Sequence, residues 1–213
     1  MIDAPSFQGQ RGSRGVEAVL LWTVQPVSAL QELEKDGVYR CDRARSWNLT
    51  KKGSLESSYR WLTEQMIRRI GYPPTGVEYP VWAWHTWEYE RKAPEADSAA
   101  FLERTEDKVA LTLDLPEDRV VQTDFDAWQH VLAGTYVAHG VTEGELCEEE
   151  QMLDELDEEE LEKAVKESWE NVFLINPVNT ETAQRGRYIQ ATFWEIRKED
   201  IVQSTILPAK KKE

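Results

Sequence analysis

The sequence has few of the residues on which redox, metal and membrane functions depend. Its two cysteines, Cys41 and Cys147, are far apart and neither has a second cysteine at metal-ligand spacing. We therefore expect two free thiols and a reducing, cytoplasmic location. The three histidines, His85, His130 and His139, have no second ligand at helical spacing, so we expect no metal site. No apolar run approaches the length of a membrane span, and the start of the chain lacks the layout of a signal peptide, so we expect no membrane association.

Basic residues are fewer than acidic residues. The chain has 25 Lys and Arg against 40 Asp and Glu, a net charge of −15. Phosphate neutralisation supplies most non-specific affinity for nucleic acid, so duplex nucleic acid is an unexpected partner.

The sequence contains no glycine-rich phosphate loop and no nucleophile-elbow serine. Nothing in it identifies a reaction by motif alone.

The acidity is concentrated in residues 143–167, which hold 13 acidic residues and two lysines, a net charge of −11. Leu153, Leu156, Leu161 and Val165 recur there at roughly helical spacing, which predicts an amphipathic helix with one face held to the domain. Two interpretations stay open. The charges form a solvated face, as most charged runs do, or they dock a basic protein through electrostatic complementarity.

The order of predicted elements favours an α+β fold, with one domain built on a twisted, mostly antiparallel sheet flanked by helices. The clearest helix runs from a cap at Ser54 to Ile70, with apolar residues at alternating four- and three-residue steps. We predict a flexible arm over residues 1–16, a single domain over 17–208 that includes an acidic helical segment over 143–172, and a basic tail over 209–213.

Local sequence signals predict the shorter secondary-structure elements. A strand over residues 19–24 leads to a helix that Pro26 opens and Gly37 ends. The runs 108–113 and 119–122 are predicted as two strands joined by a turn, and 188–197 and 201–207 as two more.

Aromatic residues crowd into residues 79–89, which contain three of the nine tryptophans. Tryptophan brings a large apolar area and a single N–H that needs a partner when buried. The stretch is therefore either a core strand or the wall of a ligand pocket. The alternation of residues 79, 81, 83 and 85 with residues 80, 82, 84 and 86 favours a core strand with both faces covered.

Three phrases resemble an uncharacterised bacterial and phage family of unknown function. They are Pro80-Val-Trp-Ala-Trp84, Ser168-Trp-Glu-Asn-Val-Phe173 and Gln190-Ala-Thr-Phe-Trp-Glu-Ile196. The resemblance extends over most of the chain and implies no activity.

Two shorter units resemble ADP-ribosyltransferase-like domains. Leu21-Trp-Thr-Val-Gln-Pro26, followed by Gly37, is similar to that family's first strand and helix, and Gln190-Ala-Thr-Phe-Trp-Glu195 to the strand that presents its glutamate. The resemblance implies binding of NAD or a related nucleotide, with Glu195 as the catalytic residue and Thr23 in the cofactor site.

The chemistry of NAD cleavage is compatible with these residues. Breaking the nicotinamide–ribose bond passes through an oxocarbenium-like state, which a fixed carboxylate such as Glu195 stabilises. Aromatic faces such as those of Trp82 and Trp84, next to His85, hold the cationic nicotinamide ring. This hypothesis predicts that Thr23 and Glu195 lie on neighbouring strands, close to those rings. Alternatively, Glu195 is a solvated residue on an edge strand. The other functions considered are a non-catalytic module that docks a basic protein with its acidic helix, and a small sheet domain that stacks nucleic-acid bases.

Overall fold

The computed structural model describes residues 17–43, 55–95 and 106–209. The predicted arm, the predicted helix cap Ser54 and the last four residues of the predicted tail lie outside these ranges. The described helices are α1 (Ser28–Asp36), α2 (Glu56–Ile70), α3 (Phe125–Ala133), α4 (Glu143–Asp154) and α5 (Glu158–Ser168). Single 3-10 turns occupy Glu117–Arg119, Trp169–Phe173 and Lys198–Asp200.

Within the described ranges, six strands form the central sheet, in the order β10-β4-β1-β3-β8-β5, and every neighbouring pair is antiparallel. They are β1 (Ala18–Pro26), β3 (Val81–Trp87), β4 (Lys108–Pro116), β5 (Val121–Asp124), β8 (Tyr188–Phe193) and β10 (Ile201–Leu207). Two small ribbons pair β2 (Val38–Arg40) with β9 (Glu195–Arg197), and β6 (Val178–Asn179) with β7 (Gln184–Arg185). The α+β fold predicted from the sequence is confirmed.

The sheet is curled, because short connections join strands that are far apart in the sheet order. Strands β4 and β5 are four positions apart, about 19 Å along a flat sheet. The link from Pro116 to Val121 passes through a 3-10 turn and reaches roughly 13 Å. The ends of the sheet are therefore drawn towards each other, and Arg119 in that link contacts Asp200, just before β10.

Two core clusters fill the two faces of this sheet. The first packs one face against α1 and the β2–β9 ribbon and includes Leu21, Ala29, Leu33, Tyr39, Val81, Leu111, Leu113, Phe193 and Ile196. The second packs the other face of β3, β8 and β5 beneath α2, α3 and the 3-10 turn Trp169–Phe173, and includes Tyr59, Leu62, Met66, Val121, Trp128, Val131, Trp169 and Val172. The aromatic strand β3 contributes to both clusters, as its predicted alternation requires.

Helix α2 packs as the periodicity predicts. Tyr59, Leu62 and Met66 are buried in the second cluster, whereas Arg60, Glu64 and Arg68 are exposed. The helix ends where Gly71 departs from helical geometry at φ 85°.

Three details of the first helix and the acidic segment were predicted wrongly. Pro26 is the last residue of β1 and α1 begins at Ser28, although Gly37 ends that helix in the left-handed conformation as predicted. The acidic segment is two helices rather than one, because Asp157 caps the start of α5. Leu161 is 38% exposed, so it does not hold the helix to the domain.

Strands that a turn joins in the sequence do not pair with each other in the central sheet. Strand β4 pairs with β1 and β10, whereas β5 pairs with β8. The predicted strand over residues 188–197 is divided at Trp194 into β8 and β9, and β10 pairs with β4. None of the helices in the described ranges is long and apolar enough to cross a bilayer.

Candidate binding site

The hydroxyl of Thr23 is used within the fold. It donates a hydrogen bond to the carbonyl oxygen of Trp82 at 2.7 Å and accepts one from the side-chain amide of Gln25 at 2.8 Å. Strands β1 and β3 share a single register pair, Trp22 with Trp84. The carbonyl oxygen of Trp82 therefore accepts its hydrogen bond from a side chain instead of from the backbone of β1. Thr23 therefore joins two splayed strands.

Glu195 lies on β9, opposite Arg40 of β2, and both of its carboxylate oxygens are bound. Arg40 donates to one oxygen from Nε and Nη2 at 3.0 and 2.9 Å, and Arg197 donates to the other from Nε at 3.0 Å. Burial alone would raise the pKa of Glu195, but these hydrogen bonds outweigh it and hold the pKa below its usual value. The carboxylate is the centre of an ion-pair cluster.

The predicted neighbouring strands for Thr23 and Glu195 are therefore not found. Thr23 is in the central sheet, whereas Glu195 is in the β2–β9 ribbon. Trp82 packs on the second core cluster beside Tyr59 and Trp128, with ring centroids 6.1 and 5.5 Å away. The structure does not bring these three predicted residues to one cleft.

Glu195→Gln is expected to lower the free energy of unfolding by roughly 1–3 kcal/mol at pH 7, because it removes a charged acceptor from two arginines. The folded-state pKa of Glu195 is depressed, so its contribution is present above the unfolded value of about 4.3 and is lost as pH falls through the folded-state pKa. Urea unfolding between pH 3 and pH 7 should show the difference from wild type narrowing below about pH 4. The exposed Glu64→Gln is the control, and a cost that does not depend on pH would contradict this assignment.

A half-buried group of four rings lies at one end of the central sheet. It consists of Trp84, Trp87, Phe125 and Tyr188, hereafter the aromatic cluster. The centroid distances around it are 4.9 Å for Trp84–Trp87, 4.7 Å for Trp87–Tyr188, 6.5 Å for Tyr188–Phe125 and 5.3 Å for Phe125–Trp84. Each ring thus touches two others, and all four keep part of their surface in solvent.

A bulge in β3 brings two of these rings together. Residues three apart in a regular strand point to opposite faces of the sheet. The register between β3 and β8 shifts between Trp84 and Thr86, with His85 as the extra residue. Trp84 and Trp87 consequently share the face on which Tyr188 lies.

The turn after β3 holds Trp87 at a cost in backbone energy. Glu88 and Tyr89 both have positive φ, at 53° and 64°, which for residues other than glycine costs roughly 1–2 kcal/mol each. The turn is closed by hydrogen bonds between the backbones of Trp87 and Glu90. It is tied to the next segment because the Tyr89 hydroxyl donates to the Val178 carbonyl at 3.1 Å. Strained backbone of this kind often accompanies functional sites.

The other two rings are fixed by one carboxylate. Asp124 caps α3 by accepting from the Ala127 N–H at 3.0 Å, which sets the position of Phe125. Its second oxygen accepts from the Gly186 N–H at 2.6 Å, just before Tyr188. Gly186 has φ 71°, and a Cβ there would lie 2.7 Å from the Ile175 carbonyl oxygen, so the close approach requires glycine.

Two polar side chains beside the aromatic cluster have no hydrogen-bond partner among the described residues. Gln190 lies directly opposite Trp84 on β8, and Thr123 lies directly opposite Gln190 on β5. The Thr123 hydroxyl is fully buried and unpartnered, and a buried polar group in that state costs about 1–3 kcal/mol. The half-buried Gln190 amide is therefore available to a ligand, whereas the Thr123 hydroxyl is enclosed beside it.

Charged groups surround the cluster. The Arg187 guanidinium lies 5.0 Å from the Tyr188 centroid and pairs with Glu88 at 3.8 Å. Burial, with the nearby charge of Asp124, raises the pKa of Asp126 in the first turn of α3. The site therefore presents a cation and a carboxylate beside its rings.

His85 is neutral and part-buried. Burial, and then the charge of Arg91, lowers the pKa of His85 to about 4. Arg91 donates to the carbonyl oxygens of His85 and Leu20, bridging β3 and β1 where they splay, and its guanidinium lies 5.6 Å from the Trp22 ring centroid. The His85 ring adjoins the cluster along β3 and can offer a neutral imidazole nitrogen.

The acidic segment lies outside the aromatic cluster. Helix α4 has six acidic residues, no lysine or arginine, and no buried side chain. Between α2 and α5 there is an open groove of about 670 Å³, in which the cations Arg68, Lys163 and Lys166 face four glutamates. A basic partner for this segment stays a prediction.

Sequence reasoning missed Phe125, Tyr188 and Gln190. Phe125 was given no role in a site, and Tyr188 was predicted only as the first residue of a strand. Gln190 was mentioned only as part of the phrase that begins at Gln190 and resembles known families. The only signal for the cluster was the density of tryptophan in residues 81–87.

The fold and site together define an α+β domain with a curled antiparallel sheet and a half-buried aromatic cluster on one face. The chain belongs to the family described as Domain of unknown function (DUF3841), whose model matches residues 20–202. This match confirms the predicted membership of an uncharacterised family. No curated protein and no solved structure matches the chain. The resemblance to ADP-ribosyltransferase-like domains stays a prediction.

Proposed function

We propose that this protein binds NAD or a related nucleotide by stacking a planar ring on the aromatic cluster. The observation that carries the proposal is the cluster itself: four rings in mutual contact, each half-buried, from three separate segments of the chain. Stacking on an aromatic side chain contributes about 1–3 kcal/mol per base, whatever the base.

The charges support a single nucleotide rather than a nucleic-acid strand. Arg187 beside Tyr188 can pair with a phosphate, whereas the chain as a whole has a net charge of −15 and would repel a polyanion. The Asp126 carboxyl and the ring faces favour a cationic ring such as nicotinamide.

The geometry supports binding more than catalysis by Glu195. A carboxylate that stabilises an oxocarbenium-like state has to face the substrate, but both oxygens of Glu195 are bound by arginines. We therefore propose a nucleotide-binding role for the aromatic cluster and assign no reaction step to Glu195.

Calorimetric titration with NAD tests the proposal. Trp87→Ala is expected to weaken binding by roughly 5- to 100-fold, because it removes a central stacking face. Trp87→Phe keeps an aromatic face and should retain most of the affinity.

The matched control is Trp61→Ala, which removes a half-buried tryptophan stacked on Phe173 in a different cluster. It should leave the affinity for NAD within about twofold of wild type. The proposal fails if wild type binds neither NAD, nicotinamide nor adenosine, or if Trp61→Ala weakens binding as much as Trp87→Ala does.

A further inference from the structure

A row of three side chains crosses the sheet beside the aromatic cluster. Trp84 on β3 is directly opposite Gln190 on β8, which is directly opposite Thr123 on β5. Residues opposite each other in an antiparallel pair point to the same face with Cβ atoms about 5 Å apart. The Gln190 side chain therefore lies next to that of Trp84, on the sheet face that carries the aromatic cluster.

The Gln190 amide is not used by any residue that the structure describes. Some polar side chains of the central sheet are bound within the fold: Thr192 donates to the Val121 carbonyl oxygen, and Thr23 donates to the Trp82 carbonyl oxygen. Gln190 forms no hydrogen bond with any residue in the described ranges, and the hydroxyl next to it, that of Thr123, is buried and also unpartnered. Buried polar groups are normally paired, so the Thr123 hydroxyl is an exception, and it lies directly beside the half-buried Gln190 amide.

We infer that Gln190 is the specificity-determining residue of this site and selects a planar ring that has a hydrogen-bond donor and an acceptor side by side. The inference rests on the proposed function, because the ring is held by the aromatic cluster. A glutamine amide offers one acceptor and two donors in a plane, and it forms two parallel hydrogen bonds with such an edge.

Two ring systems of a dinucleotide present this edge. The carboxamide of nicotinamide has a carbonyl next to an amino group, and adenine has an amino group next to a ring nitrogen. Gln190 fits either, and the two arms of the experiment distinguish them.

The test measures affinities for two matched pairs of ligands. In the adenine arm, adenosine is compared with purine riboside, which lacks the amino group. In the nicotinamide arm, nicotinamide is compared with nicotinic acid, which lacks the amide donor. We expect wild type to prefer the first member of at least one pair by about tenfold, the discrimination typical of a bidentate amide contact.

Gln190→Leu is expected to abolish that preference while leaving the affinity for the second member within about threefold of wild type, since stacking is retained. Gln190→Glu has the same shape without the donor and should reduce the preference at least threefold, which keeps the test valid if the leucine variant does not fold. The control Gln203→Leu removes an exposed glutamine on the edge strand β10 and should change nothing.

The outcomes separate the inference from the function on which it rests. Wild type that binds the rings and loses affinity in Trp87→Ala, but shows no preference in either arm, would overturn the role of Gln190 and leave the proposed function standing. A preference that survives both Gln190 substitutions would do the same. Wild type that binds NAD but no member of either pair would overturn the role of Gln190, and wild type that binds none of these ligands would overturn both.

Discussion

Replacing Arg119 with methionine is expected to lower the free energy of unfolding by about 3 kcal/mol. Arg119 donates to both carboxylate oxygens of Asp200, at 2.7 and 3.0 Å, and the Asp200 side chain is only 4% exposed. Removing the arginine leaves a buried charge without its partner, and such a loss is far costlier than that of a surface ion pair.

This ion pair also closes the curled sheet. Arg119 lies between β4 and β5, whereas Asp200 lies between β9 and β10 and also accepts from the Arg197 N–H.

The control is Arg68→Met, at an exposed arginine on α2. In urea, its free energy of unfolding should stay within about 0.5 kcal/mol of wild type. Adding Asp200→Asn to Arg119→Met should recover part of the loss. A loss below about 1 kcal/mol for Arg119→Met would mean that the closure depends on apolar packing alone.

Leu62→Ala should cost about 2–5 kcal/mol, the range for emptying a packed leucine site. Leu62 is fully buried in the middle of α2, inside the second core cluster with Tyr59 and Met66. That cluster lies beneath α3, whose first residue is Phe125, so the same change should loosen one ring of the aromatic cluster.

Chemical denaturation of Leu62→Ala and Leu161→Ala gives the comparison. Leu161 is 38% exposed on α5, so its loss should cost less than about 1 kcal/mol. Equal costs at the two positions would show that α2 does not anchor the second core cluster.

The elements that could be predicted from the sequence are those with local signals. The 3.6-residue period of α2 fixes both its buried and its exposed residues, and the left-handed glycine at position 37 fixes the end of α1. Strand β3 was predictable because alternation and aromatic density coincide over seven residues.

What the sequence could not predict depends on pairing at long range. The partner of β5 is β8, more than sixty residues further along the chain, and no local pattern selects it over the adjacent β4. No local pattern shows that Glu195 is ion-paired with Arg40, because Arg40 lies 155 residues away in the sequence. The sheet register brings it to that arginine, so its structural role appears only in three dimensions.

The aromatic cluster, too, was only partly predictable from the sequence. Trp84 and Trp87 were visible as a pair, but their odd spacing predicts opposite faces, and the bulge at His85 reverses that expectation. Phe125 and Tyr188 join them only because Asp124 ties the start of α3 to Gly186. A lone amide such as Gln190 gives no signal in a strand pattern.

The central claim is that a planar ring binds on the aromatic cluster, and nuclear magnetic resonance of the indole N–H groups tests it most directly. Nine tryptophans give a small set of signals, which single Trp→Phe substitutions can assign. On titration with NAD, the account predicts that the signals of Trp84 and Trp87 shift together and saturate, while those of Trp61 and Trp169 stay in place. Shifts confined to Trp61 and Trp169, or no shift at millimolar NAD, would contradict it.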